Sequence, residues 1–93
     1  MNIIWDNKKN KKLIAERKIS FEDVADMIVA KEYVAILENP ARRTQYIFLL
    51  PIQGYVHVVP FVIDKDSNIV LKTIFPSRKF NNMYGETSHG KDT

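Results

Sequence analysis

A group of side chains able to move protons or hold an anion crowds the second half of the chain: His57, Lys72, Thr73, Ser77, Arg78, Lys79 and Tyr84. Cleaving a phosphodiester next to a 2′-hydroxyl without a metal needs three things. One group takes the hydroxyl proton, one donates to the leaving oxygen, and fixed positive charge faces the phosphorane; His, Lys, Arg and Tyr can fill all three roles. Other chemistries find less here. His57 and His89 are the two histidines, no metal-binding side chain stands beside either at ligand spacing, and there is no cysteine, so neither a metal centre nor a disulfide framework is expected. Gly54, Gly85 and Gly90 are scattered; they make no phosphate-cradling loop, and no Gly-x-Ser-x-Gly elbow occurs. No cofactor is expected.

More cations lie elsewhere. Lys8, Lys9, Lys11, Lys12, Arg17 and Lys18 precede an acidic run of Glu22, Asp23 and Asp26, and Arg42 adjoins Arg43. The net charge of +3 is modest, so distribution carries the argument: a basic end, with further basic pairs flanking strands, fits a polyanionic partner.

The elements that hold these residues follow from periodicity. The chain has 93 residues, 45% of them hydrophobic, which suits one core. Asp6 is the N-cap of a helix reaching Arg17, with Leu13 and Ile14 on its apolar side, and Ile4 and Trp5 before it anchor on a sheet. Ser20 and Asp23 make a capping box, and Phe21, Val24, Ala25, Ile28 and Val29 follow at helical spacing. From residue 33 the period becomes that of strands, over 33–37, 45–50, 55–63 and 69–75, with 51–54 and 64–68 as connections. The expected fold is therefore α+β, with two N-terminal helices packed on a four-stranded antiparallel sheet. Arg78 to Tyr84 is expected to form a short C-terminal helical segment ended by Gly85. Residues 1–85 are expected to form a single domain and 86–93 a flexible tail. Pro60 has no N–H for a ladder, so a bulge or a break in pairing is expected beside it. The face shared by His57 depends on the 64–68 loop: an even loop puts it with Lys72, an odd one with Thr73 and Phe75.

In order and spacing these segments resemble the BrnT toxins of bacterial type II toxin–antitoxin modules, whose fold is like that of RelE-type ribonucleases. The similar stretches are Trp5-Asp6 with the lysines after it, Ile19 to Val24, Gly54 to Val62, and Lys72 to Lys79. The chain departs from better-known members at Gln45, where they open a strand with Arg, and at Phe61 to Asp64, where they carry a Tyr-Thr-x-Arg-like end. The resemblance implies a metal-independent ribonuclease that inhibits growth and is neutralised by a cognate antitoxin, often one with a ribbon-helix-helix DNA-binding segment. Under it, Arg78, Lys72, His57 and Tyr84 are the candidate catalytic residues, and Lys8, Lys9, Lys12, Arg43, Ser77 and Lys79 the candidate RNA contacts. Arg78 is the closest match, through Ser77-Arg78-Lys79. The competing reading is a non-catalytic binding module of the same fold that acts with its antitoxin as a co-repressor. Neither reading needs a membrane, and the cytoplasm is the expected location.

Overall fold

The computed structural model describes residues 2–85; the tail expected over 86–93 lies outside the described residues. Strand β1 (Ile3–Trp5) leads into helices α1 (Asn7–Arg17) and α2 (Phe21–Val29). Strands β2 (Ala35–Glu38), β3 (Tyr46–Ile52), β4 (Tyr55–Ile63), β5 (Ile69–Leu71) and β6 (Phe75–Pro76) follow, and helix α3 (Arg78–Tyr84) comes last.

Both expected N-caps form. Asp6 accepts from the Lys8 N–H at 2.8 Å and Ser20 from the Asp23 N–H at 3.1 Å, satisfying amides that a helix start leaves unpaired. The apolar stripe of α2 is narrower than its spacing implies. Phe21, Val24 and Ile28 are buried, but Val29, the last helical residue, is 74% exposed. In α1 Leu13 is buried and Ile14 is exposed.

The two helices are locked by Asn10, which is buried. Its Oδ1 accepts from the Phe21 N–H and its Nδ2 donates to Glu22 Oε1, both at 2.7 Å.

The sheet runs β1-β5-β4-β3-β2, with β6 also on β4. It is a mixed sheet of six strands rather than an antiparallel one of four. The segment at Ile4 and Trp5 is itself a strand, parallel to β5 with Ile3 opposite Ile69. A three-residue strand shows no alternation, and its partner lies at the far end of the sequence, so periodicity does not reveal it.

β4 is buried on both faces. Leu13, Ile19, Phe21, Val24 and Ile28 meet Phe48, Leu50, Val59, Phe61, Leu71 and Ile74 on one side. On the other, Phe80 and Tyr84 of α3 pack against Ile47, Leu49, Val56 and Val58. This explains why β4 reads as a continuous apolar run.

β3 extends through Pro51 and Ile52, where a turn is expected, and the turn itself is Gln53 and Gly54 at φ 54° and 75°. Two successive positive φ values match the twist of a two-residue hairpin, and Gly takes such a φ at no steric cost. Pro51 is tolerated because β2 pairs β3 only as far as Leu49.

Candidate anion-binding cleft

The site is built around the proline. Phe61 is opposite Leu71 and Val58 is opposite Phe75, so residues 72–74 face just Val59 and Pro60. One extra residue is a bulge, placed where Pro60 has no N–H to give; the Lys72 N–H still reaches the Pro60 carbonyl at 2.9 Å. The expected fourth strand, 69–75, is thereby split into β5 and β6. The 64–68 loop has the odd length, but the bulge resets the register. His57 is opposite Pro76, and Phe75 is opposite Val58 on the other face.

The bulge is open on one side, and cations from three elements gather there. Lys72 is exposed at the end of β5. Lys9, in the first turns of α1, donates its Nζ to the Lys72 carbonyl at 3.3 Å. Arg42 comes from the loop joining β2 to β3. Asn39 ties that loop down: its Oδ1 accepts from the Ala41 N–H at 3.0 Å, its Nδ2 donates to Gln45 Oε1 at 2.7 Å, and its carbonyl accepts from the Arg42 N–H at 3.1 Å. Lys9, Arg42, Gln45, Pro60, Lys72 and Thr73 together line a cleft of about 310 Å³. No carboxylate is among these lining residues, so an anion entering it meets positive charge, with the guanidinium of Arg42 as a planar, bidentate donor.

A second depression of about 280 Å³ adjoins the cleft, sharing Lys9 and Thr73. Lys12, Glu16 and Arg17 form its α1 wall and Phe75 lies on the opposite side.

The other sequence candidates lie apart from this cleft. His57 is 6% exposed, opposite Leu50 on β3, with Nδ1 2.8 Å from the Tyr55 carbonyl; that contact places the ring proton on Nδ1. Ser77 caps α3 by accepting from the Phe80 N–H at 3.2 Å, and its own N–H reaches the Val56 carbonyl at 3.0 Å. Arg78, the first residue of α3, is exposed. The amides of Lys72 and Ser77 bond to Pro60 and Val56, four positions apart on β4, which separates the two ends by about 13 Å at roughly 3.3 Å per residue. Lys79 sits over the Phe80 ring at 5.6 Å. Tyr84, the last residue of α3, packs on the sheet and lines a hollow with Val34, Pro51 and Tyr55. Lys8 and Arg43 are exposed, and neither lines the cleft. The structure thus brings together Lys9 and Lys72, with Lys12 next to them. It adds Arg42, which the sequence offers only as one of a basic pair, and Gln45, which the sequence offers only as a departure from a family pattern.

Among the described residues no group of three or more His, Cys, Asp or Glu side chains is placed to hold a metal. Among the same residues no helix is long and apolar enough to cross a membrane.

Two helices on one face of a mixed sheet and a short third helix on the other define a small α+β domain whose open side carries a cationic cleft. Its fold is similar to that of the Brucella abortus ribonuclease toxin BrnT, known from a 1.1 Å crystal structure. The TM-score is 0.62, the match covers 83% of this chain and 96% of that one, and the identity is 18%. No family model and no curated protein matches the sequence. The resemblance read from the motifs is met here at the level of fold.

Proposed function

We propose that the protein is the toxin of a bacterial toxin–antitoxin module, a metal-independent ribonuclease that works in the cytoplasm and binds its RNA phosphate in the cleft at the β5 bulge. The observation that carries this reading is the convergence of Lys9, Arg42 and Lys72, from three elements, on a fold shared with a ribonuclease toxin. A scissile phosphate there has the Arg42 fork and two ammonium groups facing its non-bridging oxygens. They stabilise the charge that builds when the neighbouring 2′-hydroxyl attacks phosphorus and the 5′-oxygen leaves. Lys72, held in place through its own backbone on both sides, is the donor best placed to protonate that oxygen. Three fixed cations also disfavour a divalent ion at the same spot and supply positive charge themselves.

An antitoxin that neutralises such a protein covers the cleft with acidic side chains, and a ribbon-helix-helix segment on that partner would let the pair repress its own operon. Arg78, His57, Tyr84, Ser77 and Lys79 lie at the other end of β4 and are assigned to the fold or to peripheral contacts in this reading.

Expression of the full chain alone, with total RNA followed over time, tests the proposal. Growth arrest with RNA fragments ending in 2′,3′-cyclic phosphate, abolished by Lys72→Ala, is the expected result. Intact RNA from a folded, abundant protein would turn the assignment toward a non-catalytic binding module.

A further inference from the structure

The cleft and the depression beside it are continuous through Lys9 and Thr73, so exposed positive charge runs from Arg42 past Lys72 and Lys9 to Lys12 and Arg17. At the far end, Phe75 on β6 is 40% exposed. Cations along a groove beside an accessible ring are the parts that recognise a single strand: cations follow the phosphates, and the ring stacks on a base whichever base it is. A duplex keeps its bases stacked inside and offers no such face.

We propose that this surface is a track for single-stranded RNA, with the scissile phosphate in the cleft, the next phosphates on Lys12 and Arg17, and a neighbouring base stacked on Phe75. The proposal rests on the ribonuclease reading for its choice of substrate and adds to it a strandedness and a stacking residue. Glu16, between Lys12 and Arg17 on the α1 wall, repels a phosphate at its own position and so spaces the contacts. The ring that stacks is held by the bulge. A regular β5 continued without the extra residue would turn residue 75 to the opposite face.

Binding of the full chain to a fluorescent 2′-O-methyl RNA octamer, which cannot be cleaved, and to its duplex form separates the two readings. Preference for the single strand, with Phe75→Ala weakening it roughly 5- to 100-fold and Phe75→Tyr retaining it, is the expected result. Phe75→Leu keeps apolar bulk but has no π face; it should weaken binding as Phe75→Ala does while holding the thermal midpoint. Lys12→Ala with Arg17→Ala should make the dependence of affinity on salt shallower. Equal affinity for duplex and single strand, or a folded Phe75→Leu that binds like the parent, would overturn the track, even if unmodified RNA is still cleaved. Stacking and single-strand preference without any cleavage would leave the track standing and remove the ribonuclease reading instead.

Discussion

At its start β4 runs between β3 and β6 with Val56 and Val58 beneath α3 and His57 on the opposite face; a few residues on, it carries Pro60 beside the bulge that opens into the cleft. Three polar side chains at the first end have structural tasks. The His57 ring bonds to a carbonyl, Ser77 caps a helix, and Asn81 Oδ1 accepts from the Val56 N–H at 3.0 Å. The second end has an interrupted ladder, three cations and room for a ligand. Titratable side chains of one strand region thus divide into those that complete a core and those left facing an opening. What separates them is a proline that cannot donate and the extra residue placed against it.

The largest effect should come from emptying the open end. Lys72→Ala should lower RNA cleavage about 10²- to 10³-fold, the loss typical of one electrostatic donor to a transition state. Lys72 is exposed, so the thermal midpoint should hardly move. Single-turnover cleavage and a melting curve on the same preparation check both halves. A variant that melts early would make Lys72 part of the fold and erase the contrast between the two ends.

Asn10→Ala should come next and should act on stability. It removes the acceptor for the buried Phe21 N–H and the donor to Glu22, leaving a buried amide unpaired at a cost of about 1–3 kcal/mol. Because α1 bears Lys9 and Lys12, the loosening should concentrate at the cleft. Amide exchange should quicken along α1 while α3 keeps its protection, and uniform quickening would argue that the two ends unfold as one.

Much of this division is written locally. Caps at Asp6 and Ser20, the strand 55–63, the loop 64–68 and the helix after Ser77 form where short-range chemistry puts them. Gly85 ends α3 as expected, though not through the left-handed cap common for glycine, since its φ is −71°; the need is close approach, because a Cβ there would collide with the Asn81 carbonyl. What short-range chemistry does not carry is the pairing of β1 with β5 and the shape of the cleft, because both join residues far apart in sequence. Pro60 advertises a bulge, yet which neighbour accommodates the extra residue depends on how β5 meets β4. Arg42 and Arg43 look alike as sequence, and only the Asn39 turn decides that Arg42 faces Lys72. Which face His57 takes depends likewise on the register, which sets it opposite Leu50.

Arg78→Ala should change little at either end. Arg78 is exposed and follows Ser77, whose amide is about 13 Å along β4 from the Lys72 amide, and surface substitutions of this kind stay within about 0.5 kcal/mol, or roughly twofold in rate. Cleavage and melting should both resemble the parent. A variant that is folded but inactive would move the reaction centre to the α3 end and reverse the comparison.

The smallest effect is expected in acid, and it too should appear at the open end first. The Glu22 carboxyl titrates below its ordinary 4.5, chiefly because the Asn10 side chain donates to it, helped by a backbone N–H at the start of α2. Asp64, in the loop after β4, titrates below 3.8, chiefly because the Asn68 N–H donates to it, with the Asn68 side chain and the Asp66 N–H adding to this. A carboxyl whose value falls on folding stabilises the folded state above its unfolded value. That stability is lost as pH drops through the folded one. The thermal midpoint should therefore sag as pH falls below about 4.5, by a modest amount because both groups are exposed and screened. Glu22→Gln should start lower near neutrality and fall less steeply, since its side chain has no proton to take up. A melting series from neutral pH into acid on both proteins measures the two slopes. Parallel slopes would mean that the Asn10–Glu22 contact does not persist in solution, and that α1 is held at the cleft by Asn10 and Phe21 alone.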